Sequence, residues 1–255
     1  MGDVKTKAPV TRIVVLAAGK GTRMKNDDLP KVLTQLNGKS IIEHLLQAVI
    51  QSGVDSRPVI VVGHKQEKVK AILGGSYDYV EQLEQKGTGH AVMVTRELLD
   101  GKADNILVLY GDHPFLRGET IKRLNEVHAK TNSVITMMVT DAGDFNDWRS
   151  ALYHYGRIVK DKQGKVAGII EFKDATEVLR QSTLLNPGYY CFDARWLWEH
   201  LPLIKNNNVQ GELYLTDLIK MAIGEGKKIS TIDSRPLESL GVNSCEELKE
   251  AERLF

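Results

Sequence analysis

The sequence predicts an α/β protein with a mixed central sheet and helices on both faces. Short apolar runs alternate with helix-like segments through the first 114 residues, which is typical of βαβ units and a parallel sheet. Beyond Pro114 two strand-like runs are separated by a short polar turn, which indicates antiparallel pairing. The length of 255 residues is enough to bury roughly three quarters of the unfolded surface, so the fold needs no disulfide or structural metal.

The first half predicts four strands and three helices in alternation. In chain order they are a strand at 13–16, a helix at 40–51, a strand at 58–62, a helix at 66–73, a strand at 77–80, a helix at 89–99 and a strand at 105–110. Ligands of parallel α/β sheets bind beyond the carboxyl ends of the strands. Gly19 and Asp112 each follow such an end, so we expect them to face one crevice.

The second half has a mixed pattern. It predicts a helix at 118–130, a strand at 133–139, a hairpin of strands 157–161 and 166–170, a strand at 186–192, helices at 194–201 and 215–223, and a closing strand at 228–232. We therefore expect a flexible tail at 1–10, one lobe at 11–114 and a second lobe of the same domain at 115–255, with a cleft between the lobes.

Composition excludes several classes of partner. The net charge of +1 gives no reason to expect binding to nucleic acid or to an anionic membrane. Cys191 and Cys245 form no metal-binding or redox motif, which favours free thiols in a reducing compartment. No apolar run approaches the roughly 18 residues of a membrane span, and the N-terminus lacks the apolar centre of a signal peptide. We expect a cytoplasmic protein.

A glycine turn follows the first strand, in the segment LAAGKGTRM at 16–24. Gly19 and Gly21 allow backbone N–H groups to approach a phosphate, and Arg23 and Lys31 supply positive charge. The spacing matches neither a P-loop nor a dinucleotide fingerprint, which needs a third small residue at the last position of this segment. The turn therefore predicts another mode of phosphate binding and counts against a dehydrogenase.

Two further segments carry groups suited to a nucleotide. Gln82 offers a donor and an acceptor to the edge of a base, while Gly87 and Thr88 allow a close backbone contact ahead of a helix. Thr88 can equally serve as a plain helix cap. Asp112 ends a buried strand, where a carboxylate facing a triphosphate is the hard ligand that Mg²⁺ prefers. The alternative for Asp112 is a cap on the following turn.

In the second half, Glu171 follows an apolar strand and Asn186 begins one. A carboxylate at the first position could accept hydrogen bonds from sugar hydroxyls. An amide at the second could hold a hydroxyl or an acetamido group. Glutamate at a strand end and asparagine in a loop are also common without any ligand, so the residues alone leave both readings open.

Six motifs in order resemble the uridyltransferase domain of bacterial N-acetylglucosamine-1-phosphate uridyltransferases, over about residues 12–255. They are LAAGKGTRM, LPKVL, QLEQKGTGHA, YGDHP, IIEFKDA followed by NPG, and QGELYLTD followed by LGVN. The resemblance implies a Rossmann-like nucleotidyltransferase fold with a sugar-binding second lobe. It also implies a Mg²⁺-dependent reaction of UTP with N-acetylglucosamine-1-phosphate that yields UDP-N-acetylglucosamine and pyrophosphate.

The resemblance also implies roles for individual residues. Arg23 and Lys31 would be the catalytic cations, and Asp112 and Asn243 would ligate Mg²⁺. The nucleotide would be bound by Leu16, Ala18, Gly19, Gly21, Gln82, Gly87 and Thr88. The sugar pocket would be lined by Gly156, Glu171 and Asn186.

Three departures from the family pattern bear on these roles. One extra residue, within 25–28, precedes Lys31; Pro187 replaces a frequent threonine; and His113 replaces an aliphatic residue. Bifunctional members continue into an acetyltransferase, whereas this chain stops at Phe255, so we expect no acetylation and the sequence implies no oligomer. The alternatives are the same chemistry on another sugar 1-phosphate or nucleotide, and a UDP-sugar-binding regulator without turnover.

Overall fold

A computed structural model of the chain describes residues 8–19, 21–24 and 28–255. The strands of this part are β1 (Thr11–Leu16), β2 (Gln35–Leu36), β3 (Lys39–Ser40), β4 (Val59–Val62), β5 (Asp78–Glu81), β6 (Asn105–Tyr110), β7 (Ile135–Asp141), β8 (Gly156–Lys160), β9 (Val166–Ile170), β10 (Leu184–Asn186), β11 (Tyr190–Asp193) and β12 (Ile229–Ser234). The α-helices are α1 (Ile41–Ser52), α2 (Gln66–Leu73), α3 (Thr88–Met93), α4 (Arg96–Leu99), α5 (Gly118–Thr131), α6 (Glu177–Arg180), α7 (Ala194–His200), α8 (Asp217–Gly224) and α9 (Cys245–Leu254).

Ten strands form one mixed sheet in the order β5-β4-β1-β6-β11-β7-β10-β8-β9, and β12 pairs in parallel with β7. The first four strands of this order are parallel, as the alternating pattern predicts. Strand β11 runs antiparallel to both β6 and β7, so strands from both halves of the chain share the sheet. The predicted mixed α/β class is confirmed.

Helices cover both faces because alternate residues of each buried strand point to opposite sides. Val14 and Val108 face a core that includes residues of α3, α4, α7 and α8. Val15 and Leu109 face a second core, with residues of α1, α2 and α5. Since both faces of the central strands are covered, their sequences are continuous apolar runs rather than alternating ones.

Two predicted elements are each divided in the structure. The predicted helix at 89–99 is two short helices, α3 and α4. Between them the buried Thr95 hydroxyl donates to the Val92 carbonyl, 2.7 Å away, and this local bond competes with regular helix. The predicted strand at 186–192 is β10 and β11, separated by Pro187, Gly188 and Tyr189.

The break between β10 and β11 positions the site. Both strands pair with β7. On the side away from β7, β11 pairs with β6 whereas β10 pairs with β8. Gly188 has φ +89, and a Cβ there would lie 2.5 Å from the Tyr110 ring. Pro187 has no N–H for a ladder. The change of partner separates β6 from β8 and opens a cavity between them.

The two ends of the chain complete the description. Residues 1–7 of the predicted tail lie outside the described part, while the Val10 N–H donates to Asp104 Oδ2 at 2.7 Å. At the other end, α9 was not predicted from the sequence. Its N-cap is Ser244, whose side chain accepts from the Glu247 N–H. No helix in the described part is long and apolar enough to cross a membrane.

Candidate active site

The glycine turn and Asp112 lie at one edge of the sheet. Leu16 pairs with Tyr110 at the carboxyl ends of β1 and β6, and the Gly111 N–H donates to the Leu16 carbonyl at 2.9 Å. The turn after β1 therefore stands beside the loop that carries Asp112, as the strand-end rule predicts.

Lys31 joins two oxygen ligands from distant parts of the chain. Its Nζ lies 2.6 Å from Asp112 Oδ2 and 2.7 Å from Asn243 Oδ1. All three groups are shielded, with 13% of the Lys31 side chain and 15% of the Asp112 side chain exposed. The two oxygens therefore already contact one cationic atom, which is the arrangement that a shared metal ion needs.

The charge state of Asp112 follows from these neighbours. Burial by itself would raise the pKa of the carboxyl group. Burial is the largest single influence, but the Lys31 charge, His113 and the Lys31 hydrogen bond together outweigh it and lower the pKa of Asp112 to about 2. Asp112 is therefore a carboxylate at neutral pH and is ready to bind a cation.

The donor set fits Mg²⁺. Within the described ranges no three His, Cys, Asp or Glu side chains gather into a metal site. A single carboxylate with one amide oxygen is nevertheless what Mg²⁺ uses when substrate phosphates and waters fill its other positions. The Lys31 ammonium marks the point where the two oxygens stabilise positive charge, so it must withdraw for a metal ion to bind there.

Asn243 is held by the start of α9. Its backbone N–H donates to Glu247 Oε2 at 2.5 Å, and the Val242 N–H donates to the Asp112 carbonyl at 2.9 Å. The Cys245 thiol donates to the Met24 carbonyl at 3.3 Å. The C-terminal helix thus brings Asn243 to both the Asp112 loop and the glycine turn.

Gly21 makes room for Lys31. Its φ is +65, and a Cβ at this position would lie 2.4 Å from Lys31 Cβ. A Cβ at Gly19, which is exposed, would meet nothing within 4 Å in the protein. The two glycines therefore serve different purposes, since only Gly21 is required by the protein's own packing.

Gly21→Ala is expected to displace Lys31 and to lower the melting temperature of the ligand-free protein, because both the positive φ and the contact are unfavourable. Gly19→Ala is the matched control and should leave the melting temperature unchanged. Thermal unfolding followed by circular dichroism measures both. Equal melting temperatures for the two variants would contradict the assigned role of Gly21.

Arg23 lies in the 3-10 helix Thr22–Met24 with an exposed side chain. Lys20 and residues 25–27 fall outside the described residues. Most of the segment 25–28, which contains the extra residue, is therefore not described. Lys31 nevertheless reaches Asp112 and Asn243 despite that insertion.

Gln82 is fixed in one orientation. Its Nε2 donates to the Gly87 carbonyl at 3.2 Å and contacts His90 Nδ1 at 3.1 Å. A carbonyl can only accept, so the amide nitrogen must face Gly87, and both of its hydrogens are engaged. The Oε1 atom is then the group that Gln82 can offer to a ligand. Gln82 borders a cavity of about 640 Å³ at the ends of β4 and β5.

Other residues of the predicted nucleotide site lie on the loop that follows Gln82. Gly87 has φ +104, and a Cβ there would lie 2.7 Å from the Leu213 carbonyl oxygen, so glycine is required. The Thr88 hydroxyl accepts from the Leu215 N–H at 3.0 Å, so its side chain serves structure. Gln85 Nε2 donates to the carbonyl of the buried Ala18 at 2.5 Å, which joins the turn to this loop.

A second cavity of about 280 Å³ lies in the gap between β6 and β8. Asn186 Oδ1 accepts from the Tyr190 hydroxyl at 2.8 Å and from the Gly188 N–H at 3.1 Å. With its oxygen occupied in this way, Asn186 presents its Nδ2 donors to the cavity. Gly156 leaves space, because a Cβ there would lie 3.3 Å from Glu171 Oε2.

Glu171 faces the same cavity as an acceptor. Burial raises the pKa of its carboxyl group, while the Thr216 hydroxyl donates to Oε1 at 2.9 Å and opposes that shift. The Oε2 atom remains as an acceptor in the cavity that Asn186 also lines. Thr216, which falls in the helix predicted at 215–223, thus orients a pocket residue.

Sequence analysis assigned no role to Tyr155, which borders the cavity and hydrogen-bonds two other loops, through His113 on one and through Ser239 and Gly241 on the other. One of its partners lies 86 positions away, so no local pattern could have indicated that role. Asp112 and Asn243 come from opposite halves of the chain, and both line this cavity.

Comparison with known proteins is consistent with this geometry. Residues 13–208 match the model of the MobA-like NTP transferase domain. The chain is 42% identical over 243 residues to the bifunctional protein GlmU of Streptococcus pyogenes serotype M12 (strain MGAS2096), covering 95% of the chain and 56% of that protein. Against the GlmU of Streptococcus thermophilus the identity is 42% over 241 residues, covering 94% and 50%. The chain spans about half the length of these relatives.

Solved structures share the fold. A UDP-glucose pyrophosphorylase complexed with UDP-glucose superimposes with a TM-score of 0.76 at 16% identity, covering 96% of this chain and 98% of that one. A putative glucose-1-phosphate thymidylyltransferase from Bacillus anthracis gives a TM-score of 0.75 at 18% identity, covering 96% and 94%. At these identities the likeness establishes the fold.

Proposed function

The chain belongs to the MobA-like NTP transferase family, and from that premise we propose that it is a sugar-1-phosphate nucleotidyltransferase that makes UDP-N-acetylglucosamine and pyrophosphate from UTP and N-acetylglucosamine-1-phosphate. The observation that carries the proposal is the contact of Lys31 with Asp112 and Asn243 between the glycine turn and the cavity beside β6. The glycine turn that we expect to bind phosphate and the two oxygens that we expect to bind a cation lie close together there. Residues 11–114 would bind the nucleotide and residues 115–255 the sugar.

In this reaction an oxygen of the sugar phosphate attacks the α-phosphorus of UTP, and pyrophosphate leaves. A phosphate oxygen is already ionised at neutral pH, so no general base is required. His113 is unsuited to that task, because it is 6% exposed and burial lowers its pKa. Catalysis then consists of positioning and charge neutralisation, as in other phosphoryl transfers.

The residues divide this work. Asp112 and Asn243 would hold Mg²⁺, which when bound neutralises charge on the phosphate oxygens. Lys31 would leave the oxygen pair for the β- and γ-phosphates, and Arg23 would join it from the exposed side of the turn. The backbone of Leu16, Ala18, Gly19 and Gly21 would border the nucleotide.

The nucleotide preference is argued from Gln82. Its Oε1 is an acceptor, which suits the N3–H of uracil and is mismatched with N3 of cytosine, which is itself an acceptor. The sugar preference is argued from Asn186 and Glu171. The Asn186 Nδ2 would donate to an acetamido carbonyl, and Glu171 Oε2 would accept from ring hydroxyls.

Gln82→Ala is expected to lower kcat/KM for UTP by about 10-fold and to narrow the preference for UTP over CTP, since the orienting acceptor is lost. Gln66→Ala, in the same cavity wall but on α2, is the matched control. Pyrophosphate release from UTP, CTP, dTTP and ATP with several sugar 1-phosphates measures the preference. A wild-type preference for CTP would refute the uridyl assignment.

A further inference from the structure

The two proposed metal ligands sit on separate loops that meet edge to edge. Asp112 follows β6, and Asn243 precedes α9, more than a hundred residues later. Their direct backbone link is the Val242 N–H bond to the Asp112 carbonyl, at 2.9 Å. One such bond does not by itself fix the distance between the two ligand oxygens, and Lys31, which contacts both, must leave them before a metal ion binds.

The Tyr155 hydroxyl supplies a further contact between the loops. It donates to the Ser239 carbonyl at 2.6 Å, accepts from the Gly241 N–H at 3.1 Å and lies 3.1 Å from His113 Nε2. Ser239 and Gly241 belong to the Asn243 loop, and His113 is the neighbour of Asp112. One oxygen atom therefore connects both loops.

The bonding of this hydroxyl is complete. A phenol has one proton, which goes to the Ser239 carbonyl because a carbonyl cannot donate. The Gly241 N–H and His113 must then both be donors, which places the His113 proton on Nε2. Although the Tyr155 ring borders the sugar cavity, its oxygen has no further capacity for a substrate.

The two loops are also closely packed where Gly241 meets His113. A Cβ on Gly241 would lie 2.6 Å from His113 Nε2 and 3.2 Å from the Tyr155 oxygen. A side chain at this position would push the Asn243 loop away from His113. Glycine here and histidine at the position that the family resemblance expects to be aliphatic are thus parts of one contact.

We propose that Tyr155 is a positioning residue whose hydroxyl fixes the separation of Asp112 and Asn243 and thereby sets the affinity of the site for a divalent cation. The inference rests on the proposed function for the identity of the bound cation. Groups behind a metal's own ligands commonly change its affinity by about 10- to 100-fold when removed.

The test is Tyr155→Phe, which keeps the ring and removes the oxygen. Mn²⁺ binding is measured by electron paramagnetic resonance with UDP-N-acetylglucosamine at saturation, and pyrophosphate release is measured as a function of Mg²⁺. We expect the variant to bind Mn²⁺ about 10-fold more weakly, to need correspondingly more Mg²⁺ for half-maximal rate, and to recover near wild-type kcat at saturating Mg²⁺.

The matched control is Tyr189→Phe. Tyr189 packs against the same His113 ring, with ring centroids 5.2 Å apart, and its hydroxyl donates to the Glu238 carbonyl at 3.2 Å, one residue before Ser239. The Tyr189 hydroxyl does not hydrogen-bond both loops. Loss of this hydroxyl should therefore lower the melting temperature without changing the affinity for Mn²⁺.

Two results would overturn the inference. Unchanged Mn²⁺ affinity in Tyr155→Phe, or equal weakening in Tyr189→Phe, would show that the hydroxyl does not set the spacing, while wild-type turnover would leave the proposed function intact. A wild-type protein that neither binds Mn²⁺ nor releases pyrophosphate would instead refute the proposed function, and the inference with it.

Discussion

Asp112→Ala is expected to reduce pyrophosphate release by at least about a hundredfold while the fold survives. The carboxylate is the one charged oxygen of the proposed cation site, and Asn243 alone offers only a neutral amide. Lys31, 13% exposed, can reach water when its partner is removed, so the folded state should remain. Turnover with saturating Mg²⁺ and far-ultraviolet circular dichroism are the two measurements.

Asp112→Asn tests the contribution of the negative charge while the shape of the side chain is kept. It keeps an oxygen for Lys31 and for the cation but removes the negative charge, so its rate should also fall well below that of wild type. If either variant released pyrophosphate near the wild-type rate with Mg²⁺ present, the assignment of Asp112 to the metal would be wrong.

Lys31→Met is expected to lower turnover and to raise the affinity for Mn²⁺. Turnover should fall about 10²- to 10³-fold, because a preorganised cation no longer meets the phosphates. Mn²⁺ added without nucleotide should bind more tightly than to wild type, because the ammonium that contacts Asp112 and Asn243 is gone. Mn²⁺ electron paramagnetic resonance and steady-state kinetics measure the two effects.

Lys39→Met provides the control for Lys31→Met. Lys39 is exposed, and its Nζ donates to Gln47 Oε1 at 2.7 Å, away from the site. It should leave both turnover and Mn²⁺ affinity unchanged. Weaker Mn²⁺ binding in Lys31→Met would mean that the lysine does not compete with the cation for this oxygen pair.

Much of the fold follows from sequence because it depends on local patterns. The strand at 105–110 and the helix at 66–73 are found with the predicted bounds, since an apolar run covered on two faces and an amphipathic stripe are both visible in the residues themselves. The family resemblance drawn from six ordered motifs is confirmed by the match to the NTP transferase model and by the 42% identity to relatives of which the chain spans about half.

The misses have a common cause. Whether 186–192 continues as one strand depends on the Tyr110 ring packing at Gly188 and on a change of partner from β8 to β6. Asp112 and Gly21 could be singled out because strand ends and glycine turns are local. The metal-binding role of Asn243 came from resemblance alone. The role of Tyr155 could not be predicted, because its hydrogen-bond partners lie on loops remote in sequence.

The placement of β11 between β6 and β7 has a consequence for how this protein can change. While the nascent chain emerges, β6 keeps an open edge until residues 190–193 reach it. Neither half is thus a transferable module, and recombination that exchanged one half would remove a strand from the other. New substrate preferences would have to arise by changes in the loops at the carboxyl ends of the strands, with the shared strand left in place.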